Sequence, residues 1–122
     1  MDYTTLVIAL EIIASVYGTH FPDSIHTEKI QAAIVYFEEN ETKIVPPRVI
    51  EKVCTKPDEY WAYNATVLLY YLHIETPPEH REALFRLYMF TYYHAGLTDD
   101  KRMFQIPNHD RRAVIDFYNS GV

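Results

Sequence analysis

Residues 59–96 read EYWAYNATVLLYYLHIETPPEHREALFRLYMFTYYHAG, two apolar, tyrosine-rich stretches on either side of a proline pair. The first has apolar or aromatic side chains on every side of a helical projection, which predicts a central buried helix from Glu59 to Ile74, capped by Asp58. The second predicts a helix that runs to about Ala95 and is ended by Gly96. Because the connection is short, the two helices should form an antiparallel hairpin.

The connection itself carries Thr76-Pro77-Pro78-Glu79. A threonine followed three residues later by a glutamate predicts a capping box, in which each side chain satisfies a backbone N–H at the start of the second helix. Proline is well tolerated in the first turn of a helix, where its missing N–H would have no partner in any case. Both features predict that a helix begins here.

Upstream of the hairpin, apolar residues recur at helical spacing. They predict a first helix over 3–17, with Gly18 as a left-handed C-terminal residue, and a loop over 19–24. The stripe Ile30, Ala33, Ile34 and Phe37 predicts an amphipathic second helix. The Pro46-Pro47 pair prevents a continuous helix through this part of the chain, and 48–55 should form a short third helix.

Downstream of the hairpin, 98–107 reads as a polar connection, and Asn108 or Asp110 can cap a sixth helix that carries Val114 and Phe117. Only three glycines occur in 122 residues, fewer than the turns of a β-sandwich or barrel normally need. The sequence therefore predicts an all-α fold: residues 1–122 form a single compact domain, a bundle of five to six helices with a central apolar, tyrosine-rich hairpin.

The cellular setting follows from the cysteine content and from hydropathy. One cysteine, Cys54, cannot form an internal disulfide, which favours a reducing, cytoplasmic location. The uncharged run 60–74 is shorter than the roughly 20 residues that cross a bilayer, so no membrane span is expected.

The net charge of −6 restricts the class of partner. Most of it belongs to residues 1–60, which hold ten acidic and five basic residues. A negative field disfavours direct nucleic-acid binding, because that binding relies on a basic face. It favours association with a basic protein, whose approach the carboxylates would accelerate.

The sequence contains no catalytic or metal-binding signature. Six histidines occur, yet no H-E-x-x-H pair and no repeated Glu-x-x-His spacing. His73 and His94 should each lie near the C-terminal end of its own helix, and therefore at opposite ends of the hairpin. A helix C-terminus stabilises a protonated imidazole. Cys54 fits a packing position. We therefore expect no enzyme activity, no cofactor and no metal.

Two sets of residues are predicted to contact a partner. The first pairs an acidic group, Glu28, Glu38, Glu39 and Glu41, with tyrosines that can supply contact area at an interface: Tyr60, Tyr63, Tyr70 and Tyr93. The second is a secondary basic set, which could also pair with acids of the same chain: Lys101, Arg102, Phe104, Arg111 and Arg112.

Size, charge and tyrosine content together predict a protein-interaction module. The favoured hypothesis is a small acidic inhibitor or immunity-type antagonist that blocks a basic toxin, nuclease or nucleic-acid-binding effector. A homodimeric scaffold or adaptor, with the tyrosines at its interface, is the first alternative. A small enzyme or metal-binding protein that uses dispersed histidines and carboxylates is the second.

Overall fold

The computed structural model describes residues 3–55 and 60–97, and the side chains of 5–55 and 60–95 within them. These residues form helices and no strand, as the sequence predicts. The helices are α1 Tyr3–His20, α2 Thr27–Glu39, α3 Pro47–Cys54, α4 Trp61–Leu72 and α5 Pro78–Leu97.

The five described helices form a closed ring of contacts. Around the ring, α1 packs on α3, α3 on α4, α4 on α5, α5 on α2, and α2 on α1. Helices α1 and α5 also contact each other across the ring, and the most extensive contact is between α4 and α5. A bundle of this kind buries one face of every amphipathic helix and so explains how short helices remain folded.

The core is a continuous cluster to which all five helices contribute. Its large, fully buried side chains include Ile13, Phe37 and Phe90. Tyr17 and Tyr88 are buried, whereas Tyr63, Tyr70, Tyr71, Tyr92 and Tyr93 are partly buried and pack against the core. The all-helical fold is confirmed; the tyrosine-rich hairpin as its centre stays a prediction.

The end of α1 corrects the sequence-based prediction. Helix α1 does not stop before Gly18 but continues to His20, and the Phe21 N–H still donates to the Tyr17 carbonyl at 2.9 Å. Pro22 gives the reason, because a proline disfavours helical geometry in the residue before it. The helix therefore ends just ahead of Phe21, and Gly18 lies within its last turn.

The α4–α5 connection also differs from the prediction. The Thr76 hydroxyl donates to the Leu72 carbonyl at 2.6 Å and bonds nothing in the first turn of α5, so the capping box is wrong. The last carbonyls of a helix lack backbone donors, and a hydroxyl four residues on is well placed to supply one. Pro78 does occupy the first turn of α5, as expected.

The remaining helix ends agree with the sequence to within a few residues. Helix α4 stops at Leu72, two residues early, and α5 passes through Gly96 to Leu97, so Gly96 does not end it. The predicted cap Asp58, the residue Glu59 and the sixth helix fall outside the described residues. None of the described helices combines the length and the hydropathy that crossing a bilayer requires.

Candidate functional site

The side of α2 that faces away from the bundle is an acidic surface with an apolar middle. Helix α2 buries Ile30, Ala33, Ile34 and Phe37 against its neighbours. Its opposite side, here called the α2 outer face, consists of exposed residues three or four positions apart: Glu28, Gln31, Ala32, Val35, Glu38 and Glu39. Val35, with 45% of its surface exposed, lies between carboxylates at either end.

The carboxylates at the C-terminal end of this face are poorly compensated. Glu38 and Glu39 occupy the last turn of α2, which holds no basic residue, and Glu41 follows in the loop. A helix C-terminus carries partial negative charge, so acidic side chains there are unfavourable. Within residues 3–55 and 60–97, none of these three carboxylates forms an ion pair or a hydrogen bond. Their charge is directed to solvent.

The loop after α2 is fixed to the rest of the bundle. The Asn40 side-chain amide donates to the Tyr36 carbonyl at 2.8 Å, and the Thr42 hydroxyl donates to the Glu75 carboxylate in the α4–α5 connection. The Tyr36 and His80 rings lie 5.3 Å apart, which joins α2 to the start of α5. The acidic end of α2 is therefore held beside the α4–α5 connection.

The structure does not gather the predicted contact tyrosines on the α2 outer face. Tyr60, which is exposed, and Tyr63, which is half-buried, lie at the beginning of α4, and Tyr93 lies in the last turns of α5. Tyr70 lies elsewhere, in a cleft between α4 and α5. The tyrosines thus belong to α4, its first flanking residue and α5, whereas the acidic residues belong to α2 and the loop that follows it.

That cleft, here called the α4–α5 cleft, is a concave feature that sequence reasoning missed. Its volume is about 720 Å³, within the roughly 300–1,000 Å³ typical of ligand pockets. Apolar and aromatic side chains form most of its wall, with a few polar groups at one end. The lining residues are Leu69, Tyr70, His73, Thr76, Arg81, Glu82, Leu84, Phe85 and Tyr88. Periodicity alone could not reveal it, because its walls come from two helices and from the connection between them.

The sequence also could not predict that two histidines from different helices lie side by side. His94 lies beside His20, with ring centroids 4.7 Å apart, and Phe90 packs against both rings. Burial, and then the neighbouring His20, lower the pKa of His94, so its imidazole favours the neutral form. His20 is the last residue of α1 and His94 lies in the last turns of α5, so only the packing of these helices brings the rings together.

The described residues show no group of three or more histidine, cysteine or acidic side chains placed to hold a metal. Cys54 is half-buried, its thiol lies 3.5 Å from the Thr5 carbonyl, and burial raises its pKa. A thiol with a raised pKa is a poor nucleophile near neutral pH, since the thiolate is the reactive form. This placement suits a packing role.

The secondary basic set lies outside the described residues: Lys101, Arg102, Phe104, Arg111 and Arg112. Their contribution to a binding surface remains a prediction from sequence. Searches with this chain match no family model, no curated protein and no solved structure.

Proposed function

We propose that this protein binds a basic protein through the α2 outer face and blocks it, as a small inhibitor or immunity-type antagonist. A toxin, a nuclease or a nucleic-acid-binding protein has the positive surface that such an antagonist would cover. The observation that carries the proposal is the α2 outer face itself, in which exposed, unpaired carboxylates flank an exposed Val35.

The arrangement matches the anatomy of protein interfaces. Such interfaces have an apolar centre and a polar rim that stays near solvent. On α2 the centre is Ala32 and Val35, and the rim is Glu28 at one end with Glu38 and Glu39 at the other. The rim carboxylates should steer a basic partner and raise its association rate, while Val35 should contribute to residence time after docking.

The chain's charge supports the same partner class. The net charge of −6 attracts positive surfaces over several ångströms, and salt screens that attraction. Glu38 and Glu39 lie at the helix end where their charge costs stability. Carboxylates that are unfavourable for the fold are most simply explained by a role in binding.

A charge-reversal pair tests the steering step. Proteins captured by the wild-type chain are identified, and the purified basic partner is measured by biolayer interferometry at about 50 and about 500 mM NaCl. The variant Glu38→Lys/Glu39→Lys should lower the association rate constant about tenfold or more at low salt, and much less at high salt. The matched control is Glu11→Lys/Glu51→Lys, which changes the net charge equally on the exposed surfaces of α1 and α3.

A second pair tests the docking step. Val35→Asp should raise the dissociation rate, whereas Ile8→Asp on α1 should not, although the two side chains are almost equally exposed, at 45% and 46%. If both charge reversals slow association equally, general charge alone is responsible and the α2 outer face is not the site. If the captured partner retains its full activity in the complex, the protein is an adaptor and the blocking role is wrong.

A further inference from the structure

We propose that the α4–α5 cleft is a binding site for a small aromatic carboxylate, which Arg81 holds by its carboxylate group. The proposal is independent of the partner-binding function, because the cleft and the α2 outer face share no residue.

Arg81 is fixed but not neutralised. Its Nε donates to the Thr76 carbonyl at 3.1 Å, which holds the guanidinium at the polar end of the cleft. Within the described part of the chain, no carboxylate forms an ion pair with it. The two terminal nitrogens therefore remain available, and a guanidinium presents them in the planar geometry that suits a carboxylate.

Among the residues that the structure describes, Glu82 is the acidic member of the cleft wall, and it does not pair with Arg81. Its carboxylate is close enough to His26, at the start of α2, to raise the pKa of that histidine against the larger lowering by burial and by Arg86. Glu82 thus interacts with His26 of the neighbouring helix as well as lining the cleft, whereas Arg81 is anchored at the α4–α5 connection. The guanidinium remains the fixed positive group of the cleft, and an anionic ligand complements it.

The walls favour a flat apolar body. Phe85 and Tyr88 lie nearly parallel, with ring centroids 6.3 Å apart and planes at 18°, and Tyr70 lines the cleft from α4. Burial, then Tyr92 and Tyr70, raise the pKa of Tyr88, so its hydroxyl stays protonated and brings no negative charge to the cleft. Aromatic rings stack or meet edge to face with another aromatic group, which favours an aromatic ligand over an aliphatic one.

The test compares two ligands that share the same aromatic ring, one with a charged carboxylate and the other with a neutral amide in its place. Binding of 1-naphthaleneacetate and of its neutral analogue 1-naphthaleneacetamide is measured by calorimetry and by the ring signals of ¹³C-labelled phenylalanine. The carboxylate should bind at least about tenfold more tightly than the amide, since a hydrogen bond to a charged group is stronger than one to a neutral group. When a ligand binds, the ring signals of Phe85 should show larger changes in chemical shift than those of the other phenylalanines.

Variants assign the preference to Arg81. Arg81→Met should bring the affinity ratio of carboxylate to amide close to one, and Arg81→Lys should retain part of it. The control Arg48→Met removes an exposed arginine of α3 and should leave the ratio unchanged. Equal affinity for the two compounds, an unchanged ratio in Arg81→Met with folding intact, or no saturable binding up to about 10 mM would each overturn the proposal.

Discussion

Phe90 shows how much of the stability depends on a single side chain. It is fully buried, and its ring meets Tyr17 edge to face at 5.4 Å and Phe21 at 5.9 Å. It therefore links α5 to the end of α1 and to the residue that follows it.

Phe90→Ala should lower the free energy of unfolding by about 3–5 kcal/mol, because it removes buried apolar surface and leaves a cavity. Urea unfolding followed by circular dichroism measures the change. Phe85→Ala is the control, since that ring is 45% exposed, and it should cost less than about 1 kcal/mol. Similar losses for the two variants would show that the region around Phe90 is not tightly packed.

His94 should make stability depend on pH. Burial, and then His20, depress its pKa below the ordinary 6.5, so between the two values the unfolded chain binds more protons than the folded one. Stability is therefore highest above about pH 6.5 and falls as the pH drops toward the folded-state pKa.

We expect His94→Gln to reduce this loss of stability in urea titrations between about pH 7.5 and 5. Some dependence should remain, because burial and Arg86 also lower the pKa of His26. If wild type and variant lose stability in parallel as the pH falls, His94 does not carry the effect.

At the level of single helices, α2 gives the clearest prediction from charge. Glu28 lies in its first turn, where the helix dipole favours an acid, and Glu39 lies in its last, where the dipole opposes one. Glu39→Lys should therefore raise the free energy of unfolding by about 0.3–1 kcal/mol at low ionic strength, and Glu28→Lys should lower it by a similar amount.

Urea midpoints in low and high salt measure both effects, which should shrink together as salt is added. If the two substitutions shift stability in the same direction, the dipole is not the cause. Glu39→Lys should also weaken partner binding, so a variant that gains stability while it loses binding would separate the two roles of the α2 outer face.

Helices were the easiest part of the fold to predict, and their ends the hardest. The buried side of α2 could be predicted directly, because its apolar residues recur three or four positions apart, which is about one turn of a helix. They are Ile30, Ala33, Ile34 and Phe37. Gly18 and Thr76 were misread, because glycine permits but does not require a helix end, and a hydroxyl can bond a preceding carbonyl as readily as a following N–H.

The molecule as a whole should be a monomer at pH 7. Its net charge of −6 opposes self-association. The large apolar side chains exposed in the described part of the chain lie on different elements and form no single helix face. They are Ile8, Ile25, Val35, Tyr60, Ile74 and Phe85.

Sedimentation velocity across about a hundredfold range of concentration measures the oligomeric state, and the sedimentation coefficient should not change. A coefficient that rises with concentration would instead favour the homodimeric scaffold. Phe85→Ala and Tyr60→Ala would then locate the interface on α5 or at the start of α4.

The amino-acid sequence by itself determined the helical class, the approximate helices and the acidic group at the end of α2. These properties are local: they depend on the spacing of apolar residues, on the scarcity of glycine and on charges adjacent in the chain. Three of the four predicted acidic residues share the α2 outer face for the same reason, since Glu38 and Glu39 follow Glu28 by about three full turns of the helix.

Tertiary structure alone decided the rest. The pairing of His20 with His94, the separation of the contact tyrosines from the acids, and the α4–α5 cleft with Arg81 at one end all join residues from different helices. Periodicity fixes which side of a helix is buried but not which neighbour covers it or how far two helices diverge. The choice of neighbouring helix and the distance between helices depend on how side chains of different sizes pack together. The spacing of apolar residues along the sequence does not specify that packing.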